Sequence, residues 1–159
     1  MPYHIRNAKL VLEDGREFVG RRIGAPFDAI GEVVFNTAMS GYQEILTDPS
    51  YAGQMVVMTY PQIGNYGITT RDAESRRPFL SALMVKEAGR TASNWQASRT
   101  LDEYLVATGI PGLEGIDTRA LVRHLRDHGA MRGVIADAAT DSAVLRNRAL
   151  AHPIGRAHV

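Results

Sequence analysis

Short apolar runs separated by polar turns occupy the first part of the chain and predict a series of strands. The first two runs, at residues 8–13 and 16–23, flank Asp14-Gly15. This arrangement predicts a β-hairpin, because glycine tolerates the positive φ of a two-residue turn. Further strands are predicted where apolar runs recur, at residues 31–36, 54–60, 79–87 and 131–136.

Helical periodicity is clearest at residues 117–128, where Leu121 and Leu125 lie one turn apart on an apolar face. Asp117 is placed to cap the first turn of this helix, and Gly129 is placed to end it. Shorter helices are predicted at residues 40–47, 100–108 and 141–150. A strand-rich block followed by alternating helices and strands predicts an α/β domain with mixed sheets.

Two features between these elements have no regular pattern. The segment 61–78 is rich in Gly, Pro, Asn and charged residues, so it is predicted to be a loop. Trp95, the single tryptophan, has polar neighbours. We interpret it as a partly buried core residue, with an interface anchor as the alternative.

Composition restricts the class of protein. The 159 residues favour one domain, and 18 Lys and Arg nearly balance 17 Asp and Glu. The arginines are scattered, with no continuous basic stripe, which argues against nucleic-acid binding. No apolar run approaches the roughly 20 residues that span a membrane, and no secretory signal pattern begins the chain, so we expect a cytoplasmic protein.

The chain contains no cysteine. Disulfides, thiolate metal sites and a cysteine nucleophile are therefore excluded within these residues. His124 and His128 have the four-residue spacing of a helical metal pair, but two ligands do not make a site, and we expect them to flank the apolar face. Glycines recur before the same helix without the remainder of a phosphate-binding motif, so turns are predicted at Gly109, Gly112 and Gly115.

Asp48-Pro49-Ser50 is the short segment with the most chemical interest. Proline fixes φ and would present the Ser50 hydroxyl at a defined angle. A presented hydroxyl can donate to a carboxylate or accept from an amine. From the residues alone, the favoured interpretation is a serine whose hydroxyl only forms a hydrogen bond within its own turn.

Residues 31–51, GEVVFNTAMSGYQEILTDPSY, resemble the hallmark segment of carbamoyl-phosphate synthase small subunits. Further similar blocks follow in the expected order: Thr59-Tyr60-Pro61 with Ile63-Gly64-Asn65 and Gly67, then Ala92-Ser93-Asn94, then Ile116-Asp117-Thr118-Arg119-Ala120-Leu121. The opening Leu12-Glu13-Asp14-Gly15 is similar too. The resemblance covers roughly residues 8 to 136.

This resemblance implies a two-domain subunit whose N-terminal part is a three-layer β/β/α domain of the swivelling type with mixed sheets. On this basis residues 1–150 form that domain and residues 151–159 begin a linker to a glutaminase domain that lies outside the sequence. The resemblance further implies docking on a large subunit, which uses ATP and Mg²⁺ to make carbamoyl phosphate for arginine and pyrimidine synthesis. No cofactor is expected in this chain.

The resemblance also implies a role for Ser50, because the Asp-Pro-Ser serine of the family contributes to the glutamine pocket. That implication reverses the interpretation made from the residues alone. We expect no catalytic residue in this chain and no glutamine hydrolysis by it alone. The alternative function is a stand-alone module for a small anion, suggested by the loop at 64–67 and the glycines before the 117–128 helix.

Overall fold

The computed structural model describes residues 7–37, 45–59, 62–63, 79–88 and 101–153. In these ranges the strands are β1 Ala8–Leu12, β2 Glu17–Gly24, β3 Ala29–Asn36, β4 Gln54–Met58, β5 Gln62–Ile63, β6 Ala82–Val85, β7 Glu87–Ala88, β8 Pro111–Glu114 and β9 Met131–Asp137. The α-helices are α1 Leu101–Thr108, α2 Thr118–His128 and α3 Ser142–Ala151. Within the same ranges a 3₁₀ turn covers Pro49–Tyr51.

Seven of these strands close into a barrel in the order β1-β2-β8-β6-β4-β3-β9, and β9 pairs with β1. The four neighbours β8, β6, β4 and β3 run parallel to one another. The remaining three join by antiparallel pairing, while β5 and β7 form a separate parallel pair. The predicted α/β class with mixed sheets is therefore confirmed. The closed barrel is a feature that the sequence did not predict, and the three-layer swivelling arrangement stays a prediction.

The hairpin predicted around Asp14-Gly15 is confirmed, with a longer loop than expected. The Leu12 N–H donates to the Arg16 carbonyl at 2.9 Å, so residues 13–15 form a three-residue loop. Gly15 has φ +94°, the left-handed conformation that such loops place on glycine. The prediction of a two-residue turn is wrong, because Val11 of β1 pairs with Glu17 of β2 and Leu12 then bonds to Arg16, which leaves three residues in the loop.

The predicted turns at the three glycines before α2 are confirmed at Gly109 and Gly115 and wrong at Gly112. Gly109 and Gly115 do have positive φ, at +78° and +81°. Gly112, however, lies inside β8, a buried strand that pairs with β2 and β6. A Cβ on Gly112 would lie 2.8 Å from Ile23, so close packing between neighbouring strands favours glycine there. Local composition indicates a turn, and the tertiary pairing overrides it.

The core lies on both faces of the parallel strands. Met55 and Val57 of β4 pack in the cluster that α2 covers, while Val56 and Met58 pack in the cluster that α1 covers. A strand buried on both faces explains the continuous apolar run in the sequence. The third helix, α3, packs its Leu145 and Ala149 against β1 and β9.

The other element predictions have mixed outcomes. The helices at 117–128 and 141–150 are confirmed, with Asp117 accepting a 3.0 Å hydrogen bond from the Ala120 N–H. The strands at 31–36, 54–60 and 131–136 are confirmed with shifted ends, and 79–87 divides into β6 and β7. Helix 100–108 is confirmed from its second residue. The predicted loop at 61–78 is wrong at Gln62–Ile63, which form the strand β5, because these residues pair with Glu87–Ala88 of β7; the remainder of that loop lies outside the described residues. Most of the predicted helix at 40–47 and Trp95 also lie outside them.

Candidate functional site

Asp48 and Pro49 hold Ser50 in a rigid, exposed turn that immediately precedes β4. Proline occupies the first position of the 3₁₀ turn, and Asp48 caps it. The Ser50 N–H donates to Oδ1 of Asp48 at 2.9 Å. The Tyr51 N–H donates to the Asp48 carbonyl at 3.1 Å, so the backbone is fixed on both sides of Ser50.

The charge on Asp48 is favoured by the same turn. The Ser50 backbone N–H, and then the Ser50 side chain, lower the pKa of Asp48 below its ordinary value of 3.8. Asp48 is therefore ionised at neutral pH. The hydrogen bond that the structure gives to Ser50 in this turn is made by its backbone N–H, and the residue is exposed to solvent.

Tyr51 ties this turn to the barrel. The Asn36 side-chain amide donates to the Tyr51 hydroxyl at 2.8 Å, and Asn36 is the last residue of β3. The backbone that carries Ser50 is consequently anchored to the sheet through its neighbour Tyr51. Because the backbone of this turn is already fixed, Ser50 can form a hydrogen bond with a bound ligand at little cost in conformational entropy.

The two histidines of α2 take part in a charged cluster with the β1–β2 hairpin. His124 Nε2 lies 2.6 Å from Asp14 Oδ2, and Arg16 Nη1 lies 3.4 Å from His124 Nδ1. His128 Nδ1 lies 3.0 Å from the His124 carbonyl oxygen, near the end of the helix. Both histidines thus have structural partners, and within the described ranges no group of three or more potential ligands is arranged to hold a metal ion.

The structure describes no helix both long and apolar enough to cross a bilayer. The comparisons with known proteins then decide the family. The model of the carbamoyl-phosphate synthase small chain, CPSase domain, matches residues 10–135.

The chain belongs to this family.

Curated relatives bear out the assignment. Carbamoyl phosphate synthase small chains from Syntrophotalea carbinolica and Nitratidesulfovibrio vulgaris strain Hildenborough are each 56% identical, over 94% and 92% of this chain. That of Symbiobacterium thermophilum is 61% identical over 79% of this chain. The matches cover 40%, 39% and 34% of those relatives, so the chain spans about 40% of the length of the small chains it matches.

Among solved structures, an aminopeptidase from Aneurinibacillus sp. strain AM-1 aligns with a TM-score of 0.46 at 16% identity. The alignment covers 83% of this chain and 30% of that chain. A likeness at this level does not establish a shared fold. The family assignment therefore rests on the sequence relatives.

Proposed function

We propose that this chain is the N-terminal domain of the small subunit of a glutamine-dependent carbamoyl-phosphate synthase, occupying residues 1–150. The observation that carries the proposal is the family match over residues 10–135, which includes the Asp48-Pro49-Ser50 turn. In this role the domain docks on the large subunit and completes the glutamine pocket. The subunit pair then uses ammonia from glutamine to make carbamoyl phosphate for arginine and pyrimidine synthesis.

Ser50 is the residue of this chain that we assign to glutamine binding. Its hydroxyl can donate to the substrate carboxylate or accept from the substrate amino group. The turn holds its backbone, so little rotational freedom is lost when a ligand is bound.

The nucleophile of glutamine hydrolysis lies outside these residues in this proposal. The chain has no cysteine, so it cannot supply the thiolate of a glutaminase. Residues 151–159 are proposed to begin the linker to the glutaminase domain, and the N-terminal domain is proposed to have the three-layer swivelling architecture. ATP and Mg²⁺ are used by the large subunit in the same cytoplasmic complex.

The test of Ser50 is made in the full-length small subunit assembled with its large subunit. Ser50→Ala is expected to raise the KM for glutamine by about tenfold, the effect of losing one hydrogen bond to a charged group. Because Ser50 does not carry out the chemistry, kcat is expected to change by less than about threefold. Glutamine-dependent and ammonia-dependent synthesis of carbamoyl phosphate are both measured.

Thr140→Ala is the matched control, since it removes a hydroxyl from the turn between β9 and α3. It is expected to leave the glutamine KM unchanged. Ammonia-dependent synthesis is expected to be equal in both variants, because ammonia bypasses the glutamine pocket. An unchanged glutamine KM in Ser50→Ala refutes the role of the serine.

Docking and inactivity are tested with the 159-residue chain itself. It is expected to bind the isolated large subunit in a pull-down or by calorimetry, and to release no ammonia from glutamine. Ammonia release that persists after removal of contaminating glutaminase would overturn the assignment of the chemistry to another domain. Failure to bind the large subunit would overturn the docking role.

The stand-alone module for a small anion remains the alternative, with less support. The loop at 64–67 that suggests it lies outside the described residues, and the glycines before α2 form β8 and two turns. Calorimetric titration with glutamine, carbamoyl phosphate and nucleotides separates the two functions. Tight binding of glutamine by the chain alone would favour the module.

A further inference from the structure

A concave site lies where the parallel strands of the barrel end. Thr37, Thr59 and Lys86 directly follow the last residues of β3, β4 and β6, three neighbouring parallel strands. The described residues that line the cavity are Thr37, Thr59, Lys86, Thr118, Arg119, Val122, Arg123 and Arg126, and its volume is about 450 Å³. We call it the cationic cleft. The mouths of β-barrels are common ligand sites, and the volume suits a small molecule.

Four cationic side chains and no carboxylate are among the described lining residues. Arg119, Arg123 and Arg126 have the spacing i, i+4 and i+7, which places them along one face of α2. In the part of the chain that the structure describes, none of these arginines forms an ion pair with a carboxylate, and neither does Lys86. Like charges at this spacing repel each other, so an anion bound between them would stabilise the helix.

One of these arginines, Arg126, also contacts the barrel. The guanidinium carbon of Arg126 lies 5.4 Å from the centre of the Phe35 ring, which is close enough for a cation–π contact. Leu121 and Val122 of the same helix are buried against the core, so α2 is fixed on the sheet. The positive charges therefore face the cleft from a rigid element.

Thr118 adds a hydroxyl donor to the cleft. It is only 5% exposed and lines the cleft at the first residue of α2. Within the described ranges its hydroxyl has no hydrogen-bond partner, yet it is not sealed from solvent. The hydroxyl is therefore open to the cleft and can donate to a ligand bound there.

From these observations we propose that the cationic cleft binds a small molecule carrying a phosphate or diphosphate group. The planar guanidinium group of arginine can donate two parallel hydrogen bonds to phosphate oxygens, and threonine hydroxyls can donate to the same oxygens. An acidic protein segment is the less favoured occupant, because the cavity is concave and has the volume of a small-molecule site. Ser50 is not among the described lining residues, so this site is separate from the proposed glutamine contact.

Inorganic pyrophosphate is the probe, titrated by calorimetry in low-salt buffer without other phosphate. The 159-residue chain and the assembled small and large subunits are titrated in parallel. Saturable binding to the 159-residue chain with a Kd below about 1 mM is expected. A rise in the melting temperature of the chain is expected at saturating pyrophosphate, since a ligand that binds only the folded state stabilises it.

The variants Arg119→Gln and Arg123→Gln are each expected to weaken binding by about tenfold, because each removes a charge-assisted contact. Arg123→Lys keeps the charge and is expected to recover part of the affinity. Arg148→Gln is the matched control, since Arg148 is an exposed arginine of α3 that contacts Asp28. It is expected to change the affinity by less than about twofold.

Three results would overturn the proposal. The first is the absence of heat or thermal shift up to about 10 mM pyrophosphate, a range that would detect even weak binding. The second is an equal loss of affinity in Arg148→Gln and Arg123→Gln, which would indicate attraction to overall charge. The third is binding of a hexaglutamate peptide without binding of pyrophosphate, which would identify an acidic protein segment as the occupant.

Discussion

Gly20 of β2 lies where the barrel closes between β2 and β8, and its substitution by alanine tests that closure. A Cβ at Gly20 would lie 2.3 Å from the carbonyl oxygen of Glu114 and 2.8 Å from the Ile116 side chain. Ordinary contact begins at 3.4 Å. The first neighbour is backbone, so β2 and β8 would have to separate by about an ångström to relieve the overlap.

Overpacking of this kind costs about 1–3 kcal/mol, and a clash with backbone belongs at the upper end. We therefore expect Gly20→Ala to lower the free energy of unfolding by about 3 kcal/mol. With a urea m-value of about 2 kcal/mol/M, the midpoint falls by about 1.5 M. The melting temperature is expected to fall by about 6–12 °C for a chain of this size.

Urea unfolding followed by circular dichroism measures both the midpoint and the slope. Gly53→Ala is the control: Gly53 has φ +77° but open space around its Cβ position. Gly53→Ala is expected to lower the free energy of unfolding by about 1 kcal/mol, from backbone strain alone. A Gly20→Ala variant no less stable than Gly53→Ala would refute the close approach of β2 and β8, and with it the closed barrel.

Three further predictions concern α2 and the charged hairpin. Leu121→Ala removes a fully buried side chain and is expected to cost about 3 kcal/mol or more, measured by urea unfolding; a cost below about 1 kcal/mol would contradict the packing of α2. Asp117→Ala removes the helix cap and is expected to cost about 1 kcal/mol by the same assay, whereas Asp117→Asn, the matched control, should cost less than half of that. Hydrogen bonds from the Arg132 side chain hold the pKa of Glu13 below its ordinary 4.5, so the stability they contribute is complete above that pH and is lost as pH falls through the lowered pKa. Urea midpoints measured downward from neutral pH should therefore fall less steeply below about pH 4.5 in Glu13→Gln than in the wild type, and identical slopes would contradict the pairing.

Local signals in the sequence predict the elements that are stabilised by nearby residues. The Asp14-Gly15 hairpin and the helix from Asp117 to Gly129 are confirmed because turn and cap residues act on their own backbone neighbours. The short strand β8 is missed, since Pro111 and Gly112 have low strand propensity. Only the pairing of β8 between β2 and β6 makes an extended conformation favourable there.

The candidate sites show the same division. The Asp48-Pro49-Ser50 turn is visible in the sequence because proline and an N-terminal cap determine it locally, and the structure shows Ser50 exposed in that turn. The cationic cleft is not visible, because Lys86 lies far along the chain from the arginines of α2. In the sequence the arginines are scattered, with no continuous basic stripe.

The sequence by itself determined the family, the mixed α/β class and the absence of a cysteine nucleophile, since these depend on residue identity and local pattern. The tertiary structure alone decided that seven strands close into a barrel and that four cations meet at the ends of three parallel strands. Barrel closure depends on contacts between residues distant in sequence, such as β2 with β8 and β9 with β1. Their pairing is selected by burial on both faces of the strands, a property of the whole fold that no local segment specifies.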